Sequence, residues 1–317
     1  MGKVAFIFPG QASQYPGMGK ELAEKYPAAQ AVFAEADKAL GFSVSKLCFE
    51  GTEDELKLTA NTQPAILAVS VAAYRVLADK GLTADFVAGH SLGEYSALVA
   101  AGSLSFGDAV KLVRKRGTYM QEAVPAGQGS MAAIMGLSPT VVQDVCKRAA
   151  EGQVCSPANL NSPEQTVISG DVDAVKRAVE IASQSGAKRA VVLAVSAPFH
   201  SALMMPAQLK LEKDLASIKF ADLQMPLVTN VDADSIRKGD EARSALVRQV
   251  TMPVRWEESM RMLLDEGVNT FVEVGPGRVL TGLMRQIERS VTTLNVEDEK
   301  SLAGTLDKIT GAKSDAA

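Results

Sequence analysis

One five-residue motif contains the residue types that nucleophilic chemistry requires. Residues 89–93 read Gly-His-Ser-Leu-Gly, a G-x-S-x-G sequence. An apolar run, 86–88, precedes the motif, and an alanine-rich run suited to a helix, 95–101, follows it. A strand, a sharp turn and a helix expose such a serine hydroxyl above a sheet edge, and glycines give the turn its room. Ser91 is therefore the candidate nucleophile, and an ordinary glycine-rich turn is the alternative interpretation.

A serine hydroxyl needs a base within hydrogen-bond reach, and histidine is the most common one. The chain contains two histidines. His90 adjoins Ser91, and because neighbouring side chains at a strand end diverge, it is poorly placed to accept the serine proton. His200 lies in a proline-containing loop after a predicted strand and becomes the candidate base if Ser91 is catalytic. No acidic residue stands in an obvious third position, and an amide carbonyl could orient the imidazole instead.

Composition argues against several classes of function. The 317 residues are 47% hydrophobic, enough for a substantial core, and the formal net charge of −4 argues against a nucleic-acid partner. Three cysteines without a C-x-x-C motif, beside only two histidines, form no pattern of metal ligands. With no signal-peptide core and no apolar run of spanning length, we expect a cytoplasmic protein with reduced thiols, no membrane partner and no permanently bound cofactor.

Helical segments flank the motif. Helices predicted at 19–40 and 59–80 precede it, and Pro64 is expected at an early helical position. After the motif, a predicted amphipathic helix at 109–122 carries four cations on its face: Lys111, Arg114, Lys115 and Arg116. Such charges usually cover a solvated face, which is what the pattern alone favours. Gly275-Pro276-Gly277 matches no phosphate-binding motif and is predicted to be a turn.

The order of predicted elements indicates an α/β protein with an insertion. The predicted strands outside the insertion are 4–8, 86–88, 226–230 and 270–274. Between residues 126 and 197 the predicted order is β-α-β-β-α-β, that of a ferredoxin-like unit. The expected division is a core formed by 1–125 and 198–309, a small subdomain at 126–197 and a disordered tail at 310–317.

Six motifs together give the chain a resemblance to a known family. In chain order they are Gly10-Gln11-Ala12-Ser13-Gln14, Asn61-Thr62-Gln63-Pro64-Ala65, Gly89-His90-Ser91-Leu92-Gly93-Glu94, Arg116-Gly117, Pro198-Phe199-His200-Ser201 and Glu273-Val274-Gly275-Pro276-Gly277. In motifs and spacing, the chain resembles the malonyl-CoA:acyl carrier protein transacylases of bacterial type II fatty acid synthesis from the first strand to about residue 300. The resemblance implies an α/β-hydrolase-like core with a parallel sheet and an inserted ferredoxin-like subdomain.

The resemblance also implies roles for individual residues. Ser91 would carry the acyl group, and His200 would be its general base. The main-chain carbonyl of Gln249 would orient that histidine, so that no carboxylate is needed. The backbone amides of Gln11 and Leu92 would form the oxyanion hole.

Recognition of the acyl group is implied in the same way. Arg116 would pair with the free carboxylate of the malonyl group, a task for which a planar guanidinium is suited and a lysine is not. Ala12 stands where the family usually has glycine, which bears on the shape of the oxyanion loop. Further residues expected at the pocket are Gln63, His90 and Met120.

The function expected from this resemblance is a ping-pong transfer. Ser91 would take the malonyl group from malonyl-CoA, and the phosphopantetheine thiol of acyl carrier protein would then remove it. We expect a monomer with a basic rim near the pocket mouth, because the carrier is usually acidic. The alternatives are a serine thioesterase or esterase on a similar scaffold and a non-catalytic acyl-binding module.

Overall fold

Two β-sheets organise the chain. The structure, a computed structural model, describes residues 2–195 and 197–311. The strands in these residues are β1 (Lys3–Phe8), β2 (Phe86–Gly89), β3 (Gly129–Met135), β4 (Cys155–Ser162), β5 (Gln165–Asp171), β6 (Arg189–Val192), β7 (Leu227–Val228), β8 (Ser235–Ile236), β9 (Val268–Val274) and β10 (Thr292–Val296). The helices are α1 (Lys20–Lys25), α2 (Pro27–Leu40), α3 (Val44–Glu50), α4 (Glu53–Lys57), α5 (Thr59–Asp79), α6 (Gly93–Ala100), α7 (Phe106–Glu122), α8 (Pro139–Ala150), α9 (Val172–Gln184), α10 (Met205–Ala216), α11 (Gly239–Gln249), α12 (Trp256–Asp265), α13 (Val279–Ile287) and α14 (Glu299–Thr310).

The larger sheet has six strands in the order β10-β9-β1-β2-β7-β8. The first five are parallel, and β8 pairs with β7 in the antiparallel direction at the edge. The carboxyl ends of β1 and β2 lie side by side, with Phe8 opposite Gly89. Loops that follow parallel strands meet at this edge, which is where such sheets bind ligands. The loop at Gln11 and the turn at Ser91 both begin there.

Side chains of β1 alternate between the two faces of the larger sheet. Phe6 and Phe8 pack into the largest hydrophobic core, whereas Ala5 and Ile7 belong to a second core formed with α12 and α13. Successive side chains of a strand point to opposite faces, so a strand buried on both faces supports two layers of helices. This layered arrangement confirms the predicted α/β class with a mainly parallel sheet.

The smaller sheet is antiparallel, in the order β4-β5-β3-β6. Its elements follow one another as β3-α8-β4-β5-α9-β6, the order of a ferredoxin-like unit. Ala132 and Ile134 of β3 pack against α8 and α9 in a third hydrophobic core. Their neighbours Met131 and Ala133 point the other way and line a cavity. The strands of this sheet lie between Gly129 and Val192, and the proposed subdomain limits at 126 and 197 stay a prediction.

Two predicted helices differ from the structure near prolines. The stretch predicted as one helix at 19–40 is divided, because Pro27 starts α2 and a proline lacks the N–H that would continue α1. Helix α5 begins at Thr59, so Pro64 lies inside the helix rather than in its first turn. The N–H groups of Asn61 and Thr62 donate to the Leu58 carbonyl, and these hydrogen bonds form the first turn of the helix before Pro64.

Strand and tail limits also differ from the prediction. The strand predicted at 226–230 comprises only Leu227–Val228. Helix α14 includes Thr310, and Gly311 caps it. The start of the tail predicted at 310–317 was therefore placed inside the helix. Residues 312–317 of that tail lie outside the described residues.

Candidate active site

The turn between β2 and α6 places Ser91 at the carboxyl edge of the larger sheet. Ser91 has a φ of 49°, in the left-handed region that L residues seldom adopt. A Cβ added to Gly89 would lie 2.0 Å from the Gly93 carbonyl, and one added to Gly93 would lie 2.0 Å from the Phe8 carbonyl oxygen. Both positions therefore exclude any residue larger than glycine. The strand, sharp turn and helix predicted from the motif are all present.

Asn230 holds this turn from the loop that follows the neighbouring strand β7. Its Oδ1 accepts a hydrogen bond from the Ser91 N–H at 2.7 Å, and its Nδ2 donates to the Gly89 carbonyl at 2.6 Å. One side chain thus satisfies a donor and an acceptor of the turn that the strained backbone leaves unpaired. The position of Ser91 therefore depends on a residue more than a hundred positions away in the chain.

His200 lies beside Ser91 and is buried. Its Nε2 is 2.8 Å from Ser91 Oγ, and its Nδ1 is 2.8 Å from the backbone carbonyl oxygen of Gln249. Because a carbonyl can only accept, Nδ1 carries the proton and Nε2 offers its lone pair to the serine hydroxyl. Burial, followed by the nearby Arg116 guanidinium, lowers the pKa of His200 to about 3. The imidazole is therefore neutral at pH 7 and can accept a proton.

Arg116 projects from α7 into the same space and is 1% exposed. Its Nη1 donates to Gln63 Oε1 at 2.8 Å, and its Nη2 lies 3.0 Å from Gln249 Oε1 and 3.1 Å from Ser91 Oγ. Among the residues described, it forms no ion pair with a carboxylate. The guanidinium carbon also lies 5.4 Å from the centre of the Tyr95 ring. A buried cation whose hydrogen bonds go to amide and hydroxyl oxygens is suited to receive an anion beside Ser91.

The other cations of α7 behave as the pattern favoured. Lys111 and Lys115 are exposed, and Lys115 Nζ pairs with Asp214 Oδ1 at 2.7 Å. Arg114 is half-buried and donates to the side chain of Asn61. The expectation of a solvated face is therefore wrong only for Arg116, because the helix turns that one residue toward the sheet edge.

The side chain of Gln249 joins the two parts of the site. Its Nε2 donates to Glu94 Oε2 at 2.8 Å and to the Ser91 carbonyl at 3.0 Å, while its Oε1 accepts from Arg116. Glu94 is fully buried, and its Oε2 also accepts the Asn230 N–H at 3.1 Å. Burial raises the pKa of Glu94 to about 7. One glutamine thus contacts Ser91, His200 and the buried Arg116.

Two backbone N–H groups expected at the site are unpaired. Neither the Gln11 N–H nor the Leu92 N–H has an acceptor in the described stretches 2–195 and 197–311. Gln11 lines the cavity, and its side-chain Nε2 donates to Thr59 Oγ1 at 3.2 Å. Leu92 directly follows Ser91 at the start of α6. Unpaired donors next to a nucleophile are what an oxyanion hole requires.

Ala12 adopts a conformation that glycine would adopt more easily. Its φ is 79°, and a side chain costs roughly 1–2 kcal/mol in the left-handed region. Its N–H donates to Gln14 Oε1 at 2.8 Å, and the Ser13 hydroxyl donates to the Gly10 carbonyl at 2.7 Å. These hydrogen bonds hold the loop in this conformation although residue 12 is not glycine.

A cavity of about 660 Å³ opens in front of Ser91. Its walls come from the loops at Gln11 and His200, from the smaller sheet and from the start of α13. The smaller sheet contributes apolar side chains such as Met131 and Val167. A mainly apolar cleft with a few convergent polar groups is typical of a small-molecule site.

The three further residues expected at the pocket have different positions. His90 and Met120 line the cavity, whereas Gln63 lies behind Arg116 and holds its guanidinium. His90 Nε2 is 2.9 Å from Asn161 Oδ1 on β4, so its ring is hydrogen-bonded to the smaller sheet. Burial lowers the pKa of His90. The sequence argument against His90 as the base agrees with this geometry.

Three polar residues of the site did not stand out in the sequence. Asn230 closes a predicted strand, and a polar residue at the carboxyl end of a strand was a usable signal. Glu94 ends the serine motif, but nothing in the pattern indicated that its side chain would be buried. Asn161 lies in β4, and nothing in the pattern indicated that its side chain would reach His90.

In the part of the chain that the structure describes, no group of three or more His, Cys, Asp or Glu side chains could hold a metal ion. The helices of the described residues include none that is both long and apolar enough to cross a membrane.

Comparison with known proteins places the chain in a family. The model of the acyl transferase domain matches residues 5–315. A malonyl CoA-acyl carrier protein transacylase of Bacillus subtilis (strain 168) is 50% identical over 303 residues, which cover 95% of this chain and 96% of the relative. An acyl carrier protein S-malonyltransferase crystal structure from Vibrio cholerae has a TM-score of 0.94 at 46% identity, covering 96% of this chain and 99% of that chain.

A further solved structure contains a partner protein. It is described as a type II PKS acyl-carrier protein in complex with its malonyl-transacylase, and it matches with a TM-score of 0.94 at 47% identity over 96% of this chain and 99% of that chain. These matches extend over nearly the whole chain and include both sheets. The chain therefore belongs to the acyl transferase family.

Proposed function

We propose that the chain transfers a malonyl group from malonyl-CoA to the phosphopantetheine thiol of acyl carrier protein through an ester on Ser91. The observation that carries this proposal is a buried arginine, Arg116, 3.1 Å from the hydroxyl that a neutral His200 also contacts. A serine–histidine pair supports acyl transfer, and the cation beside it favours an acyl group that ends in a carboxylate. The relatives named for this activity support the same conclusion.

In the first half-reaction, Ser91 Oγ attacks the thioester carbonyl of malonyl-CoA. His200 Nε2 accepts the serine proton as the new C–O bond forms. The tetrahedral intermediate collapses, the C–S bond breaks, and the CoA sulfur leaves with the proton that His200 returns. The product is a malonyl ester on Ser91.

In the second half-reaction, the carrier thiol takes the place of CoA. Its sulfur gives a proton to His200 Nε2 and attacks the ester carbonyl. The C–O bond then breaks, and Ser91 Oγ recovers its proton from the imidazole. Because the Gln249 carbonyl holds Nδ1, the ring keeps one orientation through both steps.

The oxyanion of each intermediate is stabilised by the N–H groups of Gln11 and Leu92. Both groups lack an acceptor within the described residues, so they are available when charge develops on the substrate oxygen. Removal of one such donor typically costs about 3–4 kcal/mol of barrier. Their availability supports this assignment.

The malonyl carboxylate is bound by Arg116. The guanidinium offers N–H groups in one plane, which matches the two oxygens of a carboxylate. Gln63 and Gln249 hold it from behind through their side-chain oxygens. An acyl group bound in this way has its thioester carbon close to Ser91 Oγ.

We also propose an oligomeric state, a cellular compartment and partners for the protein. The chain acts as a cytoplasmic monomer without a permanently bound cofactor, and malonyl-CoA and acyl carrier protein are its partners. Lys57 and Arg278 line the cavity and are candidates for a basic rim that receives an acidic carrier. Each already pairs with glutamate or aspartate side chains, so the rim is partly neutralised.

Transfer and hydrolysis are separated by a chase of the acylated protein. The native chain and Ser91→Ala are incubated briefly with malonyl-CoA, freed of excess donor, and followed by intact-protein mass with and without acyl carrier protein. We expect an adduct of malonyl mass on the native chain only, lost quickly to added carrier and slowly to water. The malonyl group must appear on the carrier thiol.

Two other outcomes would change the functional assignment. An adduct that clears into water at the same rate with or without carrier would indicate a thioesterase. Absence of an adduct on the native chain would indicate a non-catalytic acyl-binding module.

A further inference from the structure

The Glu94 side chain is buried at the site without lining its cavity. It lies on the first turn of α6 and is 0% exposed. Its Oε2 accepts two hydrogen bonds, whereas its Oε1 has none in the described part of the chain. Burial is costly for such a group and raises its pKa to about 7, and Oε2 remains a hydrogen-bond acceptor whether or not Oε1 carries a proton.

Gln249 links this carboxylate to the Arg116 guanidinium. A carboxylate accepts hydrogen bonds and a guanidinium only donates them, whereas an amide does one at each end. The Gln249 amide has Nε2 2.8 Å from Glu94 Oε2 and Oε1 3.0 Å from Arg116 Nη2. Only this orientation of the amide satisfies both neighbours. The acceptor at Glu94 therefore determines which end of the amide faces Arg116.

In the same arrangement, the Glu94 carboxylate lies near Arg116 but does not accept hydrogen bonds from its guanidinium. One amide separates the two groups, and no carboxylate among the described residues pairs with Arg116 directly. A direct ion pair would use the nitrogens that a substrate carboxylate needs. The guanidinium is instead held beside Ser91 Oγ by neutral side chains, which a substrate carboxylate can replace, and its Nε has no hydrogen-bond partner among the described residues.

We propose that Glu94 is a positioning residue for acyl-group recognition: its carboxylate fixes the Gln249 amide and thereby holds Arg116 ready for the carboxylate of the acyl group. This inference rests on the function proposed above. The competing explanation is that Glu94 only stabilises the N-terminus of α6, where a negative charge is favourable. The two explanations differ in whether the loss of Glu94 depends on the charge of the acyl group.

The test compares a charged and a neutral acyl donor. Single-turnover acylation of Ser91 by malonyl-CoA and by acetyl-CoA is measured for the native chain and for Glu94→Met, which is similar in length and has no oxygen. We expect kcat/KM for malonyl-CoA to fall roughly 10- to 100-fold, the range for a hydrogen bond to a charged group, and that for acetyl-CoA to fall less than about threefold. Glu94→Gln keeps an acceptor oxygen for Gln249 and Asn230 and should recover most of the lost preference.

Glu273→Met is the matched control. Glu273 is also 0% exposed, and its carboxylate accepts the N–H groups of Leu280 and Thr281 at 3.0 and 2.8 Å. It makes no hydrogen bond to Gln249 or Arg116. We expect this substitution to lower the melting temperature while the malonyl-to-acetyl ratio stays at the native value.

Several results would overturn the inference. One is a Glu94→Met protein in which kcat/KM falls by the same factor for malonyl-CoA and for acetyl-CoA. Another is a Glu94→Met protein in which neither value changes. If Glu94→Met does not fold, Gln249→Met must show a larger loss for malonyl-CoA than for acetyl-CoA. Its backbone carbonyl still holds His200, and the lost hydrogen bond to the Ser91 carbonyl should slow both donors alike. An unchanged malonyl-to-acetyl ratio in Gln249→Met would also contradict the inference. A native chain without any preference for malonyl-CoA would instead overturn the proposed function itself.

Discussion

The reaction end of the site, around Ser91 and His200, and its recognition end, around Arg116, are built differently. Ser91 and His200 have φ values of 49° and 56°, so strained backbone in loops places them. Arg116 lies in the regular helix α7, and side chains from α5 and α11 hold it, Gln63 and Gln249. Left-handed backbone, held in part by the Asn230 side chain, places the reacting atoms, whereas a regular helix and side-chain hydrogen bonds place the cation.

This difference separates chemistry from selectivity. In the proposed function, the reaction end acts on the thioester, which every acyl-CoA contains, so its loss should affect all donors equally. The recognition end would act on the acyl carboxylate, so its loss should affect only donors that carry one. Comparing malonyl-CoA with acetyl-CoA therefore assigns a substitution to one end or the other.

The largest effect is expected from removing the nucleophile or the base. Ser91→Ala and His200→Ala should lower acylation by roughly 10³-fold or more, because neither residue can act without the other. The loss should be the same for malonyl-CoA and acetyl-CoA, measured as adduct formation by intact-protein mass. Retention of fast acylation by either variant would show that another residue carries the acyl group.

Arg116→Lys should break the recognition end alone. Lysine keeps the charge but cannot present two nitrogens to one carboxylate, so kcat/KM for malonyl-CoA should fall roughly 10- to 100-fold. Acetyl-CoA should react within about threefold of the native rate. Arg114→Lys on the same helix is the control, because Arg114 donates to Asn61 away from Ser91. Equal losses for both donors would contradict a role limited to recognition.

Asn230→Leu should weaken the reaction end through the backbone. The Ser91 N–H and the Gly89 carbonyl would lose their partner, and the turn would relax. We expect roughly tenfold slower acylation with both donors and a lower melting temperature, since one lost buried hydrogen bond costs about 1–3 kcal/mol. Steady-state kinetics and thermal unfolding measure the two effects. A loss confined to malonyl-CoA would place Asn230 at the recognition end instead.

The pH dependence sharpens the description of the reaction end. The neutral form of His200 is the active one, and its pKa is lowered to about 3, so acetyl-CoA acylation should not decline through pH 6.5 as the pH falls. Arg116→Ala removes a positive charge that lowers this pKa. The fall in acylation rate on the acid side of the pH profile, its acid limb, should therefore move to higher pH in this variant. An acid limb near pH 6.5 in the native chain would contradict a buried neutral base.

The smallest effect is expected at Ala12. Glycine would relieve the left-handed φ of 79° but would add freedom to the unfolded chain. The two contributions oppose each other, so Ala12→Gly should raise the free energy of unfolding by no more than about 1 kcal/mol. Urea unfolding measures it. A clear destabilisation would mean that the Ala12 methyl group contributes packing.

The turn that carries Ser91 could be predicted from sequence because its glycine requirements are local. Gly89, Ser91 and Gly93 are close in the chain, and the space each requires is set by the same turn. His200 followed by elimination, since the chain has only one other histidine. The same local reasoning missed Asn230, because the predicted strand at 226–230 is only two residues long and its end turns toward the site.

The recognition end could not be derived from pattern alone. Arg116 is 53 residues from Gln63 and 133 residues from Gln249 in the chain, so only the fold brings them together. The four cations of α7 differ in burial by their place on the helix, and only the resemblance singled out Arg116.

One part of the fold was also not predicted from the sequence. It comprises helices α13 and α14 and strand β10, which follow the predicted turn at 275–277.

The most direct test of the central claim is the acyl preference of Arg116→Ala. Adduct formation on Ser91 is timed with malonyl-CoA and with acetyl-CoA for this variant and for the native chain. We predict that the native chain prefers malonyl-CoA and that the variant loses this preference while its reaction with acetyl-CoA is retained. A variant that still prefers malonyl-CoA would contradict the assignment of Arg116 as the residue that recognises the acyl carboxylate.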